Sequence, residues 1–465
     1  MMDRYLYQVF ESRSATCWSY DAFSNRMVRL KGLNGLSRPD GLNVSDYDCD
    51  FFSRQLETYL ANHNFIQPFP DKVKTVHRVG EEEYLKLLDG SCGRLTLELT
   101  QACNLRCLYC VYSGKFPEHR THSDQHMAGE TARKAIELFA QLSRRREAVS
   151  LCFYGGEALL CFEKIRELTA YARQCCHGRV FVHIASNGTL WEDSLFQWIA
   201  DTPDVYLDVT LNGYGHDRYR RYMDGSPTLE DILRNVRRFQ ILFPDMAEER
   251  LNFICNAYTG KEVEELRQFY HEIGTVPALI TGIQAPDRDP LFPVRNEENA
   301  EAFRRLRERY LESEDPFLCA LFEPALLRIH HRSPAKAGGV MPLEGVCLPL
   351  LTNLYVSADG NIYLCEKTEH PSLGNVFTGV DRRSAAALMR DYAEALEGRC
   401  GNCWARRLCT VCYQDRRPGD AGPTEEACRN MRERLREDLM LYASVCEETP
   451  ERLERFDHVE KAYFL

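Results

Sequence analysis

Residues 97–113 read LELTQACNLRCLYCVYS. An apolar, strand-like run leads into Cys103, Cys107 and Cys110, spaced C-x-x-x-C-x-x-C. Three thiolates in so short a loop can hold three corners of a cubane iron–sulfur cluster and leave the fourth iron without a protein ligand. Clusters that only shuttle electrons usually have four cysteines, so a three-cysteine loop points to an iron reserved for a substrate or cofactor. The spacing also suits a zinc knuckle, or three unrelated buried cysteines. The surrounding sequence has to separate these readings.

From Gly93 onward, strand and helix patterns alternate. Strands are expected over 94–99, 149–154, 180–185, 205–211, 251–257 and 279–284. Helical periodicity is clearest over 129–143, 163–173, 229–243, 261–273 and 297–312. Such alternation predicts parallel strands joined by right-handed crossovers. Six repeats fit an open, six-eighths version of the β/α barrel, an architecture whose function sits at the C-terminal ends of the strands. The cysteine loop directly follows the first of them. Upstream, residues 1–90 read as a small α+β unit: two strands over 4–31 with a turn at Ser24-Asn25, a polar loop over 32–43, and helices over 50–62 and 81–88.

Composition narrows the class. A chain of 465 residues should hold two or three domains. Apolar residues make up 44% and charged residues 27%, a soluble globular balance. No run approaches the ~18–20 apolar residues of a membrane span. The first residues lack an apolar core flanked by a cleavage site, so no secretory signal is expected. A net charge of −11 argues against broad nucleic-acid binding. Twenty cysteines in so large a chain, with no export signal expected, point to metal or redox work in a reducing cytosol. The expected setting is therefore cytoplasmic, with no nucleic acid and no membrane as partner.

Three further motifs each follow their own strand. Tyr154-Gly155-Gly156-Glu157 comes after the second; two glycines permit close backbone approach, and a carboxylate beside them can accept a hydrogen bond from an ammonium. Ser186-Asn187-Gly188-Thr189 comes after the third, with short polar groups suited to hydroxyls or a carboxylate. Leu211-Asn212-Gly213, His216-Asp217-Arg218 and Arg220-Arg221 come after the fourth. Each alone is equally an ordinary turn or a solvated helix start. In this order, together with Asn104, Leu105 and Tyr109 in the cysteine loop, they resemble the radical S-adenosylmethionine family over residues 93–290.

That resemblance implies a cluster on Cys103, Cys107 and Cys110 whose open iron chelates S-adenosylmethionine. One electron then cleaves the cofactor to a 5′-deoxyadenosyl radical, which abstracts a hydrogen atom. It implies cofactor contacts from Tyr109, Gly155, Gly156, Glu157, Ser186, Asn187 and Asn212, and from Arg218 or Arg221 at the cofactor carboxylate. Ala158 stands where the family usually has Pro, and Asn212 where it more often has Asp.

Downstream, Cys347, the run Gly360-Asn361-Ile362-Tyr363-Leu364-Cys365, Cys400-x-x-Cys403, Cys409, Cys412 and Cys428 resemble the SPASM extension of peptide-modifying members. Only Thr410 and Val411 separate Cys409 from Cys412, a shorter gap than is general there. Two zinc ribbons are the competing reading. The resemblance implies two auxiliary clusters, an outer one on Cys400, Cys403, Cys409 and Cys428 and an inner one on Cys347, Cys365 and Cys412. Cys319 or a substrate thiolate would complete the inner set.

The expected fold is thus α/β: a partial (β/α)6 barrel of the radical SAM type over 91–290, with the small α+β domain over 1–90. A connector over 291–345, a SPASM domain over 346–445 and a helical tail over 446–465 complete the chain. The implied cofactors are S-adenosylmethionine and three 4Fe–4S clusters. The implied activity is thioether formation in a ribosomally made, cysteine-rich precursor peptide, with a flavodoxin or ferredoxin as reductant. Residues 1–90 would then recognise the leader segment, or else cap the open barrel. Alternatives are carbon–carbon crosslinking or epimerisation of a peptide, formylglycine formation in a sulfatase, or a non-catalytic iron–sulfur electron carrier.

Overall fold

The computed structural model describes residues 5–30, 57–68, 74–77, 79–116, 119–283, 292, 297–332, 340–343, 345–367, 371–413 and 422–459. The polar loop over 32–43 and the first part of the helix expected over 50–62 lie outside them, and residues 57–62 are helical. The chain divides into two units.

The larger unit holds residues 81–321 and 348–388. Its sheet is built from β1 (Arg94–Thr100), β2 (Ala148–Gly155), β3 (Arg179–Ser186), β4 (Val205–Thr210), β5 (Leu251–Ala257), β6 (Leu279–Gly282), β7 (Leu354–Val356) and β8 (Ile362–Tyr363). The spatial order is β6-β5-β4-β3-β2-β1-β7-β8. The first six strands pair in parallel with their sequence neighbours. Side chains alternate across a strand. One face of β1 carries Leu95, Leu97 and Leu99 and one face of β4 carries Val205, Leu207 and Val209, all buried. The opposite face is polar and carries Thr96, Glu98, His183, Asp208 and Asn252.

The helix Gly129–Leu142 buries Ala132, Ala135, Ile136 and Phe139, the spacing of one helical face. Each fully buried Leu, Ile or Phe contributes ~1.5–3 kcal/mol, so a register slip that exposed this apolar face would be costly.

Helices beyond the sequence expectation include Asp193–Asp201, Pro244–Arg250, Pro316–His330 and Arg382–Cys400. The first two are short, and the second begins on Pro244 at its first turn, where a missing N–H costs nothing. The third contains Pro324, which reads as a helix breaker.

The barrel does not end at residue 290. Strand β7 pairs in parallel with β1, with Leu354 opposite Leu95 and Val356 opposite Leu97. A turn with Gly360 at φ +88° then reverses the chain into antiparallel β8. Buried Glu98 locks this edge: it accepts from the Ala358 amide at 2.9 Å and pairs with Arg120. Residues 348–388 therefore belong with the barrel, whereas the sequence placed a separate domain from 346 to 445.

The smaller unit holds residues up to 80, 322–347 and 389 onward. Strands Tyr7–Glu11, Cys17–Asp21 and Arg26–Arg29 form an antiparallel meander. The turn expected at Ser24-Asn25 separates the second and third of these strands; there Asn25 takes φ +56° and accepts from the Tyr20 hydroxyl at 2.7 Å, and Asn tolerates this left-handed conformation. Strands Lys74–His77 and Val340–Leu343 pair in parallel. Glu447, on the helix Glu425–Glu448, accepts from Ser12 at 2.6 Å and from the Trp18 indole at 3.0 Å. The N-terminal meander and the C-terminal helix thus share one unit, so the boundaries expected at 90 and 446 do not mark separate modules. Among the described residues no helix is long and apolar enough to cross a membrane.

Candidate functional site

The loops after β1 to β5 gather at one end of the sheet, and close backbone packing holds them together. The Gly156 amide donates to the Thr100 carbonyl at 2.8 Å, and the Glu157 amide to the Ala102 carbonyl at 2.9 Å. A Cβ on Gly155 would fall 2.2 Å from the Thr100 oxygen, and one on Gly156 2.1 Å from the Ala102 oxygen. Both glycines are therefore demanded by the backbone entering the cysteine loop.

Glu157 is fully buried. Its carboxylate accepts from the amides of Leu159 at 3.1 Å and Asn187 at 2.6 Å, and burial raises its pKa. Asn187 donates to Asn104 at 2.8 Å and accepts from Thr189; Asn104 donates back to Thr189 at 2.8 Å. The Ser186 hydroxyl accepts from the Gly188 amide and the Trp191 indole. Glu157, Ser186 and Asn187 thus bond to the loops themselves, and tie the second and third loops to the first.

Tyr109 is the hub of the other side. Its hydroxyl receives N–H groups from Asn212 at 2.9 Å and Arg220 at 3.1 Å. Asn212 also accepts from the Asn256 amide at 3.0 Å, which fixes the fourth and fifth loops to the signature loop. The segment around Tyr222 runs antiparallel beside Leu105, with the Arg106 amide on the Arg221 carbonyl and the Leu108 amide on the Tyr219 carbonyl, both at 2.8 Å.

The arginine facing this site is Arg220, which sequence reading passed over. Arg218 pairs with Glu262 at 3.0 Å and is largely exposed. Arg221 is exposed and donates to the Gly225 carbonyl at 2.9 Å. Both therefore point away from the role expected of them. The short helix His216–Tyr219 ends at Arg220, whose backbone is extended, and this turns its side chain inward. Arg220 is buried, and among the described residues its Nε has no hydrogen-bond partner. Burial opposes its charge, but Cys107, Tyr109 and Cys103 around it hold its pKa above the ordinary value. Arg220 makes no direct ion pair with a carboxylate among the described residues, although it acts electrostatically on buried Glu157; such a buried cation suits an anion beside it. The other motif residues serve the frame: His216 Nδ1 accepts from the Asn212 amide at 3.1 Å, and Asp217 caps the next helix at the Thr228 and Leu229 amides.

The three signature thiols interact electrostatically with one another. Burial pushes Cys103 up to about 12 and Cys110 up to about 11. The Leu105 amide points at Cys103 Sγ at 3.4 Å. Partly buried thiols with amide donors and nearby cations, Arg220 and Arg120, fit an anionic cluster, since coordination to metal deprotonates a thiol outright. Among the described residues no three Cys, His, Asp or Glu side chains converge as ligands of a single ion do; a cubane takes one thiolate per iron, a wider arrangement.

The smaller unit brings four more thiols within each other's field: Cys400, Cys403, Cys409 and Cys428. Burial pushes Cys409 up to about 12 and Cys400 up to about 11. Gly345, two residues before Cys347, packs so tightly here that a Cβ would lie 2.6 Å from the Cys409 carbonyl oxygen. Cys412 is in this unit as well. Cys365 lies in the barrel unit, where the next residue, Glu366, accepts on its carbonyl from the Tyr112 hydroxyl at 2.9 Å. Cys319 lies in the first turn of the helix Pro316–His330, its amide on the Asp315 carbonyl.

Three thiols thus follow the C-terminal end of the first strand of an open, mostly parallel sheet. Residues 97–273 match the model of the Radical SAM superfamily. The chain therefore carries a radical SAM domain and is an enzyme of that class, which implies S-adenosylmethionine and a 4Fe–4S cluster. An uncharacterised protein of Methanocaldococcus jannaschii is 25% identical over 302 residues, 62% of this chain and 90% of that one. A GTP 3′,8-cyclase of Actinobacillus pleuropneumoniae is 22% identical over 295 residues, 62% of this chain and 82% of the cyclase. The sporulation killing factor maturation protein SkfB of Bacillus subtilis is 28% identical over 173 residues, 36% of this chain and 37% of SkfB. Among solved structures, anSMEcpe with bound AdoMet superimposes with a TM-score of 0.58 at 16% identity, covering 79% of this chain and all of that one; at that identity the likeness is one of fold.

Proposed function

We propose that this radical SAM enzyme forms thioether bonds in a ribosomally made, cysteine-rich precursor peptide, drawing electrons from a flavodoxin or ferredoxin. The observation that carries the reading is the second thiol group. Cys400, Cys403, Cys409 and Cys428 share one field, apart in sequence from the signature loop, and the sequence carries Cys347, Cys365 and Cys412 besides. Four thiolates suit an electron-transfer cluster. Three suit a cluster with an iron open to a substrate sulfur. The partial relative whose name denotes maturation of a killing factor supports a peptide as substrate.

When bound, S-adenosylmethionine and its cluster supply a 5′-deoxyadenosyl radical that removes a hydrogen atom from carbon. The protein's own part is placement and exclusion of side reactions. Cys103, Cys107 and Cys110 would hold the first cluster, with Arg220 as countercharge and Tyr109, Asn212, Gly155 and Gly156 as the frame. The test is anaerobic incubation with S-adenosylmethionine and dithionite, alongside a panel of cysteine-containing peptides and, separately, GTP. A peptide lighter by two hydrogen masses supports the reading. Consumption of GTP without any change in peptide would favour the chemistry named for the cyclase relatives.

A further inference from the structure

The polar face of the barrel sheet carries an acid–base assembly that the site described above does not use. His183 on β3 and Asp208 on β4 are adjacent, with Nδ1 3.1 Å from Oδ2 and 3.4 Å from Oδ1. Asn252 on β5 donates to Oδ1 of Asp208 at 2.8 Å and fixes the carboxylate. Tyr206 stacks on the imidazole, with ring centroids 5.2 Å apart and planes within 16°. Asp208 thus holds the Nδ1 proton and the ring orientation, and Nε2 is left as a base. Among the described residues Nε2 has no protein hydrogen-bond partner. The pair keeps partial access, with 21% of the His183 side chain and 15% of the Asp208 side chain exposed.

Register relates this pair to the cluster end. Cys152 pairs with His183 across β2 and β3, and Cys152 feels the charges of Asp208 and Glu366. Tyr154, two residues further along β2, feels Cys110 and Glu366. Ala185, opposite Asp208, puts only a methyl between Tyr154 and Asp208. Charged and titratable groups therefore line one face from the signature loop to His183, and a substrate seated on that face meets both ends.

We propose that His183, held by Asp208, accepts the proton that the substrate thiol gives up on its way to the new bond. The inference rests on the thioether reading. In that reaction one C–H bond and one S–H bond break and one C–S bond forms. The carbon's hydrogen leaves as an atom to the adenosyl carbon. The sulfur's hydrogen leaves as a proton to Nε2. The remaining electron goes to a one-electron acceptor of the iron–sulfur class. A positioned base of this kind typically contributes 10²–10⁴-fold.

The test uses the full chain with S-adenosylmethionine, dithionite and whichever cysteine peptide of the panel the wild-type enzyme crosslinks. In His183→Gln the ratio of crosslinked peptide to 5′-deoxyadenosine should fall ~100-fold or more. In His183→Ala, added imidazole should restore part of that ratio. A second readout needs no turnover: diethyl pyrocarbonate should modify His183 in the free protein, and the peptide should slow that modification. An unchanged ratio in His183→Gln, whether or not both products fall together, overturns the proposal, as does loss of the ratio in Glu366→Gln alone. If the wild-type enzyme crosslinks no peptide, the thioether reading fails and takes this inference with it. If it crosslinks normally and only the His183 results fail, the thioether reading stands.

Discussion

Gly156→Ala is the sharpest local perturbation. The added Cβ would sit 2.1 Å from the Ala102 carbonyl oxygen and 3.0 Å from Cys103 Cβ. Carbon–oxygen contacts of this kind settle near about 3.3 Å, so the strands must part by ~1.2 Å. That movement breaks the amide bonds of Gly156 to Thr100 and of Glu157 to Ala102, at ~1 kcal/mol each. Overpacking adds ~1–3 kcal/mol, for a total loss of ~3–5 kcal/mol. In a domain of this size each kcal/mol lowers the melting temperature by about 2–4 °C. The same movement displaces Cys103 from its partners. The assay is thermal unfolding of the metal-free protein by circular dichroism, then iron bound per chain after anaerobic reconstitution. Gly129→Ala is the control, since nothing lies within 4 Å of its added Cβ. Gly156→Ala should melt lower and bind less iron than that control. If both variants match wild type, the glycines do not position the cysteine loop and the reasoning fails.

Replacing Cys103, Cys107 and Cys110 together with Ala should abolish 5′-deoxyadenosine formation, measured by chromatography, while iron remains bound at Cys400, Cys403, Cys409 and Cys428. Burial holds His216 well below its ordinary pKa of 6.5, so below pH ~6.5 the unfolded chain takes up a proton that the folded one refuses. Stability should fall by up to ~1.4 kcal/mol per pH unit as the pH drops from there toward the folded pKa. His216→Asn, which keeps an acceptor for the Asn212 amide, should lose that slope in urea titrations. Cys319→Ala should leave the iron content and cluster spectra unchanged if a substrate thiolate completes the inner set; loss of a cluster would make Cys319 its ligand.

The barrel was legible because its strands alternate one apolar face with one polar face, and because each motif sits at a strand end. Strands β1 to β5 begin or end within a residue or two of the apolar runs that announce them. The attachment of β7 and β8 to the same sheet was not legible, because two short strands joined at Gly360 carry no period long enough to show which edge they extend. Arg220 was missed for a related reason. Arg218, Arg220 and Arg221 look alike in the sequence, and only the end of a four-residue helix decides which one turns inward. Glu157 and Ser186 showed their chemistry but not their partners, which are backbone amides brought in from neighbouring loops. The His183–Asp208 pair was hidden because its members lie 25 residues apart and meet only through the parallel register of β3 and β4.

The most direct test of the thioether reading follows a label. A cysteine peptide deuterated on carbon is incubated with the reconstituted enzyme, dithionite and S-adenosylmethionine, and both products are analysed by mass spectrometry. The account predicts one deuterium delivered to 5′-deoxyadenosine for each crosslink, and a peptide that has lost one deuterium and one thiol hydrogen. The new bond should survive reduction and should block alkylation of one cysteine. Unlabelled 5′-deoxyadenosine beside an unchanged peptide, across the whole panel, would contradict it.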